Sequence, residues 1–170
     1  PTSYAATIEA MCASPTDTIG FIPAMGYALA NQLCGVQPGL ASSRYGWNVY
    51  WIEFLVARDS DYETLEDLAG ATWAYPDAGS TSGFLYPSAL FAELGVNIGE
   101  TVEAGGHAQA VKAVYNGEAD VATAYFSPPL LAEGTWSMDM APDVPDEVVA
   151  DCAPNESGKL YCGAYRVLDA

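Results

Sequence analysis

Residues 71–94 read ATWAYPDAGSTSGFLYPSALFAEL. The apolar run at 71–75 predicts a short buried strand, and the turn-forming residues at 76–79 predict a loop after it. The hydroxyl residues at 80–82 open a helix that runs to about Leu94, where a glycine provides a common helix end. A strand–loop–helix unit of this kind is the building block of α/β folds with parallel sheets.

The same alternation extends along the chain in both directions. Strands are predicted at 18–22 (a buried one), 71–75, 101–103, 120–126 and 165–168, and residues 40–56 are rich enough in aromatic and β-branched residues for one bent strand or two. Helices are predicted at 4–12, 24–33, 64–68, 80–94 and 107–115. The pattern predicts an α/β fold with a mostly parallel sheet flanked by helices, and a lobe boundary near residues 54–61.

The chain is strongly acidic, with 22 Asp and Glu residues against five Lys and Arg residues and a formal net charge of −17. Nucleic-acid affinity comes largely from cations that neutralise phosphates, so DNA and RNA are poor partners, as is an anionic membrane surface. Hydrophobic residues make up 51 % of the chain, which is enough for a packed core. No apolar run reaches the roughly 20 residues of a membrane span.

Four cysteines stand at Cys12, Cys34, Cys152 and Cys162, without a C-x-x-C motif. Because the chain has one histidine, an ordinary Cys2His2 zinc site is excluded. Of the three possible pairings, proximity favours Cys12–Cys34 and Cys152–Cys162, and four free thiols are the alternative. The even number of cysteines and the acidic composition predict an exported protein.

The most informative loop covers residues 77–83 and is called the hydroxyl loop below. In parallel α/β sheets, ligands bind at the carboxyl ends of the strands, where such loops meet. A helix start there offers unpaired N–H groups and a partial positive charge, and Ser80, Thr81 and Ser82 add hydroxyl donors. This pattern predicts an oxyanion site without cations, although a capped helix after an ordinary turn has the same pattern. No Lys follows Gly83, which excludes a P-loop, and Thr81 stands where a nucleophile elbow needs Ser.

A second loop, residues 104–107, also lies between a predicted strand and a predicted helix. Its His107 is the sole histidine, and either ring nitrogen can donate to an oxyanion; a helix cap or a structural role in the core is the alternative. Aromatic residues elsewhere suit either a core or a cleft for a small polar ligand. They are Tyr4, Tyr45, Trp47, Tyr50 and Trp51.

Several short blocks of sequence form a specific combination. They are residues 3–6, 9–11, 20–23, 67–70, 76–83 with Leu85, Pro87 and Ala89, 95–96, 107–111, Val114, 116–118 and Asp120. Together they resemble the solute-binding proteins of phosphate, phosphite and phosphonate ABC transporters. The resemblance covers residues 1 to about 127, and it lies in the combination rather than in any single block.

The resemblance implies a type II periplasmic-binding architecture, in which two lobes close on the ligand. Residues 1–57 would form part of lobe one with the hinge-crossing strand, and residues 58–170 would form lobe two. Family members have further segments before and after the matching blocks, so we expect one lobe to be incomplete. The implied ligand contacts are Ser80, Thr81, Ser82 and His107 from lobe two, and Tyr4 and Tyr50 from lobe one.

The leading hypothesis is therefore the receptor component of an ABC importer, which is not an enzyme and needs no cofactor. It would bind a phosphorus oxyanion and act as a monomer beside a membrane-embedded permease. We expect it in the periplasm or outside the cell, with a lipid anchor on a missing N-terminal segment as one form of attachment. Ser127 stands where some members have an acidic residue for a ligand amine, which argues against an aminoalkyl phosphonate.

Two alternatives remain open at the level of sequence. The first is a binding protein of the same fold for a sulfonate, nitrate or a thiamine-like pyrimidine. The second is an α/β hydrolase-like enzyme in which a serine acts with His107, although the chain has no elbow motif and no obvious acid to orient this histidine.

Overall fold

The computed structural model describes residues 3–44, 46–127, 134, 137, 140 and 164–168. Its helices are α1 (Tyr4–Ala13), α2 (Ala24–Cys34), α3 (Tyr86–Leu94) and α4 (His107–Asn116). Its strands are β1 (Trp51–Ala57), β2 (Trp73–Tyr75), β3 (Thr101–Glu103), β4 (Val121–Phe126) and β5 (Tyr165–Val167). A 3₁₀ turn covers Glu66–Leu68, and a π-helical turn at Thr81–Leu85 leads directly into α3.

The five strands form one sheet in the order β3-β2-β4-β1-β5. β2 is parallel to both β3 and β4, whereas β1 is antiparallel to its neighbours β4 and β5. Four strands therefore share one direction and β1 alone opposes them, which confirms the mostly parallel α/β class. The carboxyl ends of β2, β3 and β4 lie at the same end of the sheet as Trp51, because Trp51 pairs with Phe126. We call this the cleft end.

The two faces of the sheet have different packing. One face carries a core with large side chains, which includes Phe54, Trp73 and Phe91. The other face is lined by small residues such as Ala74 and Ala122, against which α4 packs through alanine and valine side chains. Small side chains let a helix lie close to a sheet, so α4 is held tightly with its first residue at the cleft end.

The first two helices form a separate pair. Ser3 caps α1, because its side-chain oxygen accepts a hydrogen bond from the Ala6 N–H at 3.2 Å. Gly35 ends α2 in the left-handed conformation, as the sequence predicts. The predicted Cys12–Cys34 disulfide is present and ties α1 to α2. Cys152 and Cys162 lie outside the described residues.

Three predictions about secondary structure are wrong. Residues 18–22 form no strand, and Ile19 and Phe21 are 94 % and 91 % exposed, because no described strand lies beside this segment to pair with it. Among the described residues of 40–56, an extended strand is formed only from Trp51 onward, so the strand predicted over the earlier part is wrong. The helix expected at 64–68 is only a 3₁₀ turn, since the Asp67 carboxylate binds backbone N–H groups that precede the turn.

A division at residue 57 would assign β1 to lobe one. In the structure, β1 lies inside this sheet, between β4 and β5. The division of the chain into 1–57 and 58–170 stays a prediction. No described helix is both long enough and apolar enough to cross a membrane.

Candidate functional site

The hydroxyl loop is held in shape by its own residues. Asp77 accepts a hydrogen bond from the Gly79 N–H through its carboxylate at 2.7 Å and from the Ser80 N–H through its backbone carbonyl at 2.9 Å. The Ser80 hydroxyl oxygen then accepts from the Gly83 N–H at 3.0 Å, which caps the following helix. These short-range bonds preorganise the loop before any ligand arrives.

The helix that follows begins with a wide turn. The carbonyl of Ser80 accepts from the N–H groups of both Phe84 and Leu85, at 3.0 and 2.9 Å, and the carbonyl of Thr81 accepts from Tyr86. Bonds from residue i to i+5 define a π-helical turn, which occurs frequently at functional sites. The first N–H groups of the turn have no acceptor within the helix and point to the cleft end.

Buried tertiary contacts fix the loop against the sheet. The Thr123 hydroxyl on β4 donates to the Gly83 carbonyl, and the indole N–H of Trp73 donates to the Thr123 oxygen at 2.9 Å. Gly83 has to be glycine, because a Cβ atom there would lie 2.2 Å from Cγ of Pro76. The loop is thus positioned by β4 and β2 together.

The first helices cover the loop from the other side. The backbone N–H of Met25, in α2, donates to the Thr81 hydroxyl oxygen at 3.1 Å. Tyr4, in α1, lies against Gly79, where an added Cβ atom would be 3.2 Å from the Tyr4 Cβ. The three predicted hydroxyl donors are consequently only 2–7 % exposed: Ser80, Thr81 and Ser82.

His107 begins α4 next to the hydroxyl loop, since β2 and β3 are neighbours and Tyr75 pairs with Glu103. Its ring lies edge-on to Tyr125, with 4.9 Å between centroids. The Nδ1 atom is buried and has no hydrogen-bond partner in the described residues. Burial lowers the pKa of His107, so the ring is neutral at pH 7 and donates through one N–H group rather than as a cation.

An aromatic cluster connects His107 to Tyr50, the residue before β1. The ring of Tyr50 lies edge-on to Tyr125 at 6.3 Å, and the Arg44 guanidinium lies over the Tyr125 ring at 5.0 Å. Burial raises the pKa of Tyr4, the charge of Asp77 and the nearby tyrosines add to the rise, and Arg44 opposes it. Tyr4 therefore lies close enough to Arg44, Tyr50 and Tyr125 to interact with them electrostatically.

A cavity of about 410 Å³ adjoins this cluster on the α4 side of the sheet. Burial raises the pKa of Glu53, on its wall, to about 7. The hydroxyl loop does not line it. The lining residues are Glu53, His107, Ala108, Val111, Lys112, Ala124, Tyr125 and Tyr165.

The structure thus brings together most of the predicted site residues. Tyr4 lies against Gly79, the residue before Ser80, whereas His107 reaches Tyr50 through Tyr125. Tyr45 lies outside the described residues, and Trp47 and Trp51 pack edge-on against each other at 5.4 Å beside the cluster. No group of three potential metal ligands occurs among the residues described.

The sequence did not identify Tyr125 or Arg44 as members of this cluster. It pointed to Ser127 only as a position where some family members have an acidic residue. The Ser127 hydroxyl oxygen is buried at the end of β4 with no partner in the described residues. The available signal was position: Tyr125 and Ser127 stand at the carboxyl end of a predicted parallel strand, where ligand contacts gather. Arg44 carried no such signal, since it precedes the nearest strand.

Comparison with known proteins supports the class of solute-binding protein that the sequence resembles. The sequence profile of the family described as "ABC transporter, phosphonate, periplasmic substrate-binding protein" matches residues 1–148. The chain is 32 % identical over 136 residues to the phosphate-import protein PhnD of Mycolicibacterium smegmatis, a match that covers 72 % of this chain and 42 % of PhnD. The chain thus spans about two fifths of the length of this relative.

Two solved structures show weaker similarity. One is XAC2383 from Xanthomonas citri bound to ATP, at 25 % identity and a TM-score of 0.47, covering 52 % of this chain and 38 % of that protein. The other is a periplasmic binding protein of an arginine transport system from Legionella pneumophila, at 16 % identity and a TM-score of 0.35, covering 45 % and 30 %.

The family match spans most of the chain and includes both loops at the cleft end of the sheet. The family has the type II periplasmic-binding architecture and consists of substrate-binding proteins rather than enzymes. The chain belongs to the periplasmic substrate-binding proteins of phosphonate ABC transporters.

Proposed function

We propose that this protein is the receptor component of an ABC importer and binds a phosphorus oxyanion such as phosphonate, phosphite or phosphate. The observation that carries the proposal is the buried hydroxyl loop, which is preorganised by its own hydrogen bonds and covered by Tyr4. The anion would lie against Ser80–Ser82 and the start of the helix, with His107 and Tyr50 on the opposite side. The name of the mycobacterial relative, a phosphate-import protein, supports this ligand class.

Binding would depend on short-range donors. A hydrogen bond to a charged oxygen contributes roughly 1.5–3 kcal/mol, so a few hydroxyl and amide donors suffice for useful affinity. Neutral His107 adds one N–H group, and the buried polar atoms of His107 and Ser127 would gain a partner. Because no Lys or Arg belongs to the hydroxyl loop, binding stays reversible, as transfer to a permease requires.

Ligand binding would also favour contact between the two parts of the molecule. Tyr4 and Met25 already touch the hydroxyl loop from α1 and α2. A ligand held between these helices and the loop stabilises the closed arrangement over the open one. We propose that the protein works in this way as a monomer outside the cytoplasmic membrane, where it delivers its ligand to a membrane-embedded permease.

Replacement of Ser82 provides the direct test. Ser82→Ala removes a hydroxyl that makes no hydrogen bond to another described residue, so the fold should tolerate it. We expect at least a tenfold loss of methylphosphonate affinity in calorimetry, which corresponds to about 1.4 kcal/mol. Ser88→Ala, the same change further along the helix, is the matched control. Equal affinity in wild type and Ser82→Ala would contradict this placement of the ligand.

The choice of ligand needs a separate screen. Thermal unfolding should shift upward with phosphite, methylphosphonate or phosphate, because a ligand that binds only the folded state stabilises it. Stabilisation by sulfonates, nitrate or a thiamine-like pyrimidine alone would instead favour the other binding-protein reading. The hydrolase alternative loses support, since Nδ1 of His107 has no partner in the described part of the chain that would orient it as a base.

A further inference from the structure

The positive charge of the binding site comes from outside the two predicted loops. Acidic groups surround the hydroxyl loop: Asp77 belongs to it, and the Glu103 carboxylate lies 3.4 Å from the Ala78 backbone nitrogen. In a chain of net charge −17, these groups repel an incoming dianion. A cation close to the loop would offset this repulsion and add to the hydroxyl and amide donors.

Arg44 is held beside the aromatic cluster at the cleft end of the sheet. It exchanges two backbone hydrogen bonds with Trp47, at 2.9 and 3.0 Å, in a tight hairpin. The Trp47 ring packs edge-on against Trp51 at 5.4 Å, and Trp51 is the first residue of β1, at the cleft end. The hairpin is thus anchored to the sheet at the end where the loops meet.

The guanidinium of Arg44 faces the ligand-binding aromatic cluster. It lies 5.0 Å from the Tyr125 ring centre, and Tyr125 touches His107 and Tyr50. Its charge also acts to lower the pKa of Tyr4, whose side chain lies against Gly79 of the hydroxyl loop. Arg44 is exposed, and a guanidinium on an aromatic face keeps its N–H groups free to bind an anion edge-on.

Of the other cations in the described residues, two lie away from the aromatic cluster, and Lys112 lines the cavity that His107 and Tyr125 also line. Arg166 donates to the carbonyls of Ser60 and Tyr62. Arg58 follows the far end of β1. Arg44 is the cation whose guanidinium lies over the Tyr125 ring and whose charge acts on Tyr4.

We propose that Arg44 binds the oxyanion directly and makes the site selective for doubly charged over singly charged ligands. This inference rests on the proposed function and specifies its ligand class. The tyrosine cluster would position the guanidinium in the empty site, and the arrival of a phosphonate dianion would draw it from the Tyr125 ring onto a ligand oxygen. Trp47 acts here as a positioning residue, because it holds the hairpin in place.

The experiment compares Arg44→Gln, Arg44→Lys and the control Arg58→Gln, which changes the net charge equally at the opposite end of β1. Calorimetry at pH 8.5 would use methylphosphonate as a dianion and methanesulfonate as a monoanion of the same shape. We expect Arg44→Gln to weaken methylphosphonate binding at least tenfold and to lower its preference over methanesulfonate. Arg44→Lys should retain at least a third of the wild-type affinity, and Arg58→Gln should stay within twofold. Unchanged thermal midpoints would show that the variants fold.

The contrary outcomes are distinct. If wild type binds methylphosphonate and Arg44→Gln binds it within twofold as tightly, the inference on Arg44 is overturned while the proposed function stands. Equal losses in Arg44→Gln and Arg44→Lys, for both ligands, would overturn the role of the charge. If wild type binds neither of these anions and also neither phosphite nor phosphate, the proposed function fails, and the inference fails with it.

Discussion

The hydroxyl loop and the loop before His107 occupy equivalent places at the ends of adjacent parallel strands, yet they are built differently. The hydroxyl loop is held by hydrogen bonds among its own residues and by a buried bond from Thr123. The histidine loop has a Gly106 cap without a side-chain hydrogen bond, and the Nδ1 atom of His107 is left without a partner. The first loop is thus fixed by hydrogen bonds within the loop and to the sheet, whereas the second leaves a buried ring nitrogen without a partner in the described residues.

Paired glycine substitutions give the largest expected difference between the two loops. Gly83→Ala places a Cβ atom 2.2 Å from a ring carbon of Pro76, so we expect a loss of about 3 kcal/mol in unfolding free energy, or no folding. Gly106→Ala meets only the flexible end of Gln109 at 2.5 Å and should cost less than about 1 kcal/mol. Urea unfolding of both variants measures the contrast, and equal losses would refute it.

Removal of the buried Thr123 hydroxyl should have the next largest effect on the free energy of unfolding. Thr123→Val keeps the side-chain shape but leaves the Trp73 indole N–H and the Gly83 carbonyl without partners. Because each buried unsatisfied group costs about 1–3 kcal/mol, we expect a destabilisation of about 2 kcal/mol or more in urea unfolding. Thr64→Val, at an exposed hydroxyl, is the control. A Thr123→Val variant as stable as wild type would show that the loop is held by its local bonds alone.

Titration of Glu53, in the cavity beside the histidine loop, should have the smallest effect on stability. This effect depends on pH. Burial raises the pKa of Glu53 from its ordinary value of 4.5 to about 7, so the folded state holds this proton more tightly than the unfolded state. Its contribution to stability is complete below pH 4.5 and is lost as the pH rises to about 7, by about 2 kcal/mol after allowance for partial exposure. Glu53→Gln should remove this decline when thermal unfolding is followed between pH 4.5 and pH 8.

His107 changes the stability with pH in the direction opposite to Glu53. Its pKa is lowered by burial, so its contribution is present above pH 6.5 and is lost as the pH falls through the folded-state value. A Glu53→Gln variant with the same slope as wild type from pH 4.5 to pH 7 would mean that Glu53 is solvated, and the cavity wall would then be more open than the structure shows.

Much of the fold could be read from local patterns. The helix ends at Gly35, Gly95 and Gly117 and the Ser3 cap were detectable because each depends on a residue's own backbone preference or on a bond across three or four positions. The hydroxyl loop was detectable for the same reason. The segment 18–22 misled the prediction, since its apolar pattern indicates a strand but pairing requires a neighbour.

The composition of the binding cluster was harder to predict. Tyr125 and Arg44 are about 80 residues apart and meet because β1 returns antiparallel to β4, which places the hairpin before β1 beside the end of β4. Nothing in the residues near Arg44 indicates that contact. The register of a strand pair depends on side chains packed across the whole sheet, so it is not encoded in any short window.

Local sequence was therefore sufficient for most of the strands and helices, the hydroxyl loop, the Cys12–Cys34 pairing and the acidic character of the molecule, because these follow from composition and from residues close in sequence. Tertiary structure alone decided which charges and rings surround the loop. It buried Ser80–Ser82, left Nδ1 of His107 without a partner among the described residues, and brought the Arg44 guanidinium over the Tyr125 ring. The physical reason is that hydrogen bonds and caps act along the chain, whereas burial and electrostatic neighbours are set by sheet topology.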